Sequence, residues 1–139
     1  MLFNIIMEQN KEIKEHLKFI VITSIVLLIL DSIFLTIISK HFNKQILSVQ
    51  NEPLQINVWG AIICYIFLVF GLYYFIIRKR ESLFNAFLFG IVVYGVYEYT
   101  SYALLKKWKL QTTIMDTIWG GLLFALTAGL VYKIQEISK

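Results

Sequence analysis

The chain is short of the residues that build most hydrolytic and metal centres: it has two His, one Cys and one Pro in 139 residues. A lone Cys64 allows no internal disulfide, which excludes a stapled secreted scaffold. His16 and His41 stand apart, so no HExxH helix, Cys/His zinc set or Ser-His-Asp order can be drawn, and no metal is implied. There is no GxGxxG or P-loop either, so nucleotide chemistry has no support and no soluble cofactor is implied. Charge is scarce as well, at 16% of residues against about a quarter in soluble domains. With few Gly and Pro besides, neither a disordered chain nor a collagen-like fibre fits.

Apolar residues are abundant: 58% of the chain, with a mean hydropathy of +0.70. A soluble globule of this size could not cover so much apolar surface, so the sequence takes a bilayer as its solvent. One membrane domain is the expectation. The net charge of +4 and pI near 9.2 come from Lys and Arg grouped between apolar runs, a pattern of membrane topology rather than nucleic-acid binding. Cys64 falls inside an apolar run and reads as a small buried thiol.

Four stretches reach the length of about 20 residues that crosses ~30 Å of hydrocarbon, at roughly 18–38, 56–77, 83–104 and 114–132. They predict an all-α, antiparallel bundle of four transmembrane helices. The first stretch reads as a retained span, because Asp31 interrupts it and no small-residue cleavage site follows. Residues 1–17 mix apolar and charged side chains at helical spacing, which suits an interfacial amphipathic helix or an extension of the first span. Residues 39–55, with Pro53, read as the one long connection. On the side of both termini and the 78–82 link lie eight cations, Lys11, Lys14, Lys18, Arg78, Lys79, Arg80, Lys133 and Lys139. Five, Lys40, Lys44, Lys106, Lys107 and Lys109, lie opposite, so the positive-inside rule predicts cytoplasmic termini.

Asp31 and Glu98 are the informative residues, since an ionised side chain in hydrocarbon costs several kcal/mol and is rarely left facing lipid. Counted from the cytoplasmic side, they lie roughly 20 and 22 Å along their helices, and Asp116 enters the fourth span at similar depth from the other side. Three acids from three helices are thus expected at one level. Asn57, Tyr94, Thr100, Ser101 and Trp119 complete a candidate polar cluster; Tyr94, Glu98 and Ser101 share a helix face, and Trp119 stands one turn beyond Asp116, where its indole N–H suits either that carboxylate or the interfacial belt. Acids packed in a low dielectric cannot all ionise cheaply, so a proton or a cation should sit among them. The alternative is that they pin neighbouring helices through hydrogen bonds. Trp59 and Trp108 read as interfacial belt residues, and His41 would meet Asp31 only if the following segment folded back. Gly121, Ala125 and Gly129 repeat at four-residue spacing, as do Ala86 and Gly90, marking close helix packing within the chain or in a homo-oligomer.

Together the motifs resemble a family of bacterial and large-virus predicted membrane proteins of four spans and unknown function. Its first span carries Asp-x-x-Trp-Leu, similar to Asp31-Ser32-Ile33-Phe34-Leu35 here, and Pro53, Asn57, Trp59, Ala61 and Tyr65 look like its second. Its third carries Tyr-Asp-Leu-Thr-Asn and then Ala-x-Leu-x-x-Trp, matched by Tyr97-Glu98-Tyr99-Thr100-Ser101 and by Ala103, Leu105 and Trp108. Its fourth begins Asp-x-x-Trp-Gly, as Asp116-Thr117-Ile118-Trp119-Gly120 does. Glu98 lengthens the family's Asp by one methylene, and Ser101 replaces an amide. The resemblance implies the four-span fold and this choice of residues, and it leaves mechanism open. The leading functional expectation is a small transporter or binding protein that holds a proton, cation or cationic headgroup from the outer side. The others are a structural or assembly component, for instance of a virion membrane, and, more weakly for want of a nucleophile motif, a lipid-modifying enzyme.

Overall fold

The computed structural model describes all residues, Met1–Lys139. Helix α1 runs from Leu2 to Gln50, its 49 residues free of Gly and Pro. At 1.5 Å per residue it is about 73 Å long, more than twice the hydrocarbon thickness. Residues 2–17 are therefore continuous with the first span, and the helix also continues past it. The expected connection at 39–55 is corrected to 51–57. The polar residues Lys40, His41, Asn43 and Lys44 suggested a loop, yet polarity alone does not stop a helix; a conformational breaker does. Here Asn51 is that breaker: it adopts the left-handed conformation at φ 59° and returns its N–H to the Leu47 carbonyl at 2.9 Å, two residues before Pro53.

Helix α2 spans Val58–Leu72, with the Asn57 side chain accepting the Gly60 N–H at 3.0 Å as its N-cap. It ends in a π-helical turn over Tyr73–Ile77. In the tight link that follows, Arg80 takes a left-handed φ of 51° and the Tyr132 hydroxyl donates to the Glu81 carbonyl at 2.7 Å. Ser82 then caps α3, Leu83–Leu104, by accepting the Asn85 N–H at 3.0 Å. Helix α4 covers Leu110–Ile137. All four helices are long and apolar enough to cross a membrane, so a lipid bilayer is the environment of this fold.

Cross-helix hydrogen bonds fix the antiparallel order. His16 Nδ1 lies 2.6 Å from the Tyr73 hydroxyl, and Arg80 donates to Gln135 Oε1 at 2.9 Å, so both termini and the 78–82 link share one end, the terminal end. Gln45 donates to the Lys107 carbonyl at 2.9 Å, which gathers the end of α1 and the 105–109 link at the other, the loop end.

Helix α4 lies deepest, with Leu123, Phe124, Ala128 and Val131 fully buried against Leu27, Leu72, Ile77 and Ala86. It meets α3 at backbone distance: a Cβ on Gly90 would strike the Gly120 carbonyl and Gly121, and one on Gly120 would strike the Tyr94 ring. Gly121 faces Phe87 and Ile91 of the same chain, so this member of the small-residue repeat is taken up internally. Ile29, Phe67, Phe70 and Val92 are exposed on the outer faces, where the bilayer supplies the apolar contact. Cys64 is also exposed, correcting the expectation of a buried thiol. Nearly every residue of α2 is apolar, so hydropathy does not reveal which face of that helix turns inward.

Candidate functional site

Asp31 is 6% exposed and accepts two hydrogen bonds, from the Tyr65 hydroxyl at 2.6 Å and from the Trp119 indole N–H at 2.9 Å. The Trp119 ring in turn stacks on Phe34, with centroids 4.3 Å apart and planes 9° from parallel. Phe34 follows Asp31 by one turn, so the carboxylate and the ring hold the indole from two positions of α1. One acid thus ties α1, α2 and α4 together.

Glu98 is only 1% exposed and accepts the Trp108 indole N–H at 3.0 Å. The 105–109 link makes this contact: a Trp108 N–H to Leu105 carbonyl bond of 2.9 Å closes the turn, and the indole, 5% exposed, folds back against α3. Across from Glu98, Asp116 of α4 is 8% exposed, and both carboxyl groups line the same cavity. Asp116 Oδ1 is buried without any hydrogen-bond partner. Two buried carboxyl groups on one cavity wall do not both ionise cheaply in a low dielectric.

All three acids line one cavity of about 360 Å³, with mostly hydrophobic residues forming the rest of its wall. Phe34, Phe42, Tyr65, Tyr94, Tyr97 and Trp119 place six aromatic rings around it. No group of three His, Cys, Asp or Glu side chains is arranged to hold a metal ion. At the loop end a separate polar network ties α1 to the 105–109 link and to α4. Gln45, 1% exposed, accepts from the Lys109 N–H at 3.2 Å and from the Thr112 hydroxyl at 3.0 Å, and His41 Nε2 lies 2.8 Å from the same hydroxyl.

The residues that line this cavity are largely those on which the family motifs rest, and the chain-wide comparison agrees: a family model matches residues 16–133. The chain belongs to the family described as Predicted membrane protein (DUF2177). Its matched segment takes in all three acids and all four spans of this DUF2177 member. No curated protein and no solved structure gives a significant match.

Of the candidate residues, the fold gathers Asp31, Glu98, Asp116, Tyr94 and Trp119 at the cavity. It leaves out Asn57, spent as the α2 cap, and Thr100, which faces outward on α3. Ser101 is also left out, its hydroxyl bonded to the Tyr97 carbonyl at 2.9 Å. Two assignments change. Trp108 leaves the interfacial belt for Glu98, and Trp119 serves Asp31 of α1 rather than Asp116 of its own helix. His41 faces Thr112 and lies about 15 Å along α1 from Asp31, so the two do not meet. Tyr65 and Gln45 were not singled out as site residues. Tyr65 had a signal in the second-span motif, whereas Gln45, in a stretch read as loop, had none.

Proposed function

We propose that this protein is a small membrane transporter or binding protein in which the Glu98–Asp116 pair takes up a proton or a cation. The carrying observation is Asp116 Oδ1, a buried acceptor with no partner, beside a second buried carboxyl at the wall of a cavity. Buried polar atoms are nearly always paired, because an unmade bond costs about 1–3 kcal/mol, so a partnerless acceptor on a residue that lines the cavity suits a ligand. In this reading Asp31, whose two oxygens each have a donor, is a helix pin, and the structural alternative is confined to that one acid. By the Lys/Arg bias the loop end is the outer side, so the acids lie toward the outer leaflet.

Proteoliposomes with an internal pH dye and imposed proton or potassium gradients test the reading. Asp116→Asn and Glu98→Gln should each lower cation-driven uptake or proton release by about tenfold, the scale of one charge-assisted bond, while the exposed Ser39→Ala leaves it unchanged. Equal flux and equal cation-dependent thermal stability in the wild type and both acid variants would remove the proposal.

A further inference from the structure

A second space runs alongside the carboxylate cavity. Between α1 and α2 lies a groove of about 620 Å³, lined by twelve residues of which eleven are hydrophobic. Ile20, Ser24 and Leu28 form one wall, and α2 forms the other from Val58 to Tyr73. Those positions of α2 extend about 22 Å, more than half of a hydrocarbon core of ~30 Å and enough for one acyl chain of one leaflet. Ala61 and Tyr65 line both spaces, so groove and cavity adjoin at these two residues of α2.

From the bilayer side, the pathway therefore offers apolar walls, then aromatic rings, then a vacant carboxylate acceptor. A hydrated inorganic ion finds too little polar lining in the groove, where Ser24 is the one hydrophilic residue, to replace its water. A cation that brings its own hydrocarbon chain finds matching walls there. The ammonium group has three N–H donors to meet the Asp116 and Glu98 carboxyl groups, and Tyr65, Tyr94 and Tyr97 in the wall are of a residue type whose rings attract cations.

We propose that the ligand is a membrane amphiphile with a cationic amine head, its ammonium group against Asp116 and Glu98 and its chain in the groove between α1 and α2. This rests on the cavity being a cation site, and adds that the cation arrives laterally from the bilayer.

The test uses the full chain in phosphatidylcholine nanodiscs and two photoreactive probes, a dodecylamine and a dodecanoic acid, each with a diazirine near the chain terminus. The amine probe should label groove residues of α1 and α2 about tenfold more than the acid probe, and Asp116→Asn should remove that preference. Ile66→Trp fills the groove from a position 60% exposed, where a larger ring meets lipid rather than core. It should cut amine labelling about fivefold yet leave thermal stabilisation by ethylamine intact; Ile62→Trp, one turn earlier, gives an independent repeat. Equal labelling by both probes would make the groove a passive lipid seat and overturn the inference. Asp116-dependent stabilisation by ethylamine, with no effect of chain length or of either Trp variant, would overturn it too while leaving the cation site standing. If neither amine nor any cation responds to the acid variants, the cation site falls and this inference with it.

Discussion

Three buried carboxyl groups differ in their hydrogen-bond partners. Asp31 has both oxygens satisfied by donors on other helices, whereas Asp116 keeps an oxygen with none. Removing one partner of a satisfied buried pair strands the other, at a cost of about 1–3 kcal/mol; neutralising a carboxyl that lacks a partner removes a penalty. Tyr65→Phe and Asp31→Asn should therefore lower the thermal midpoint in detergent, while Asp116→Asn should leave it unchanged or raise it. A fall for Asp116→Asn as large as that for Asp31→Asn would show both acids to be pins. At this scale the acids themselves were legible, because the energetics of hydrocarbon single out any ionisable residue within it. Their partners were not. Trp108 has the depth of an interfacial residue, and only the turn of the 105–109 link directs its indole to Glu98. Trp119 and Asp116 share a helix face by spacing, yet the indole crosses to α1, a choice set by how the helices are placed around one another.

At the scale of elements, the four spans follow from apolar runs long enough to cross the bilayer, and the structure has a helix at each. The end of α1 does not follow from hydropathy, since what extends it to Gln50 is the lack of a breaker before Asn51 and Pro53. Its last turns matter to the site: they carry Gln45, whose amide binds the 105–109 link and the first turn of α4, the two segments flanking Trp108 and Asp116. The repeat of small residues was legible as packing, but which glycine is critical depends on register. A Cβ at Gly90 would overlap the α4 backbone, which cannot yield as a side-chain tip can, while one at Gly129 would meet Leu83 at an ordinary 3.6 Å. Gly90→Ala should cost at least the 1–3 kcal/mol typical of overpacking, and Gly129→Ala should stay within about 0.5 kcal/mol of wild type. Denaturation in mixed micelles measures both, and equal midpoints would show that α3 and α4 can separate without loss.

For the molecule as a whole, the fold places both chain termini and the 78–82 link at one end, and the cavity with Trp108 and Gln45 toward the other. Which end faces the cytoplasm then decides from which side the Glu98–Asp116 pair is loaded. Eight cations at the terminal end against five at the loop end predict that the terminal end is inside. The native Cys64 is exposed and lines the cavity, so Cys64→Ser, which keeps its size, gives a background for single reporters. In intact cells, an impermeant maleimide should modify Lys107→Cys, in the loop-end link, and should reach Ser138→Cys only after the membrane is opened. The reverse pattern would turn the cavity toward the cytoplasm. It would leave the carboxyl geometry and the lateral groove as they are, because a ligand that enters from the bilayer needs the right leaflet rather than the right aqueous phase. Orientation and ligand class are thus separable: maleimide access fixes the first, and labelling by the amine probe the second. Of the two, only the second depends on Asp116.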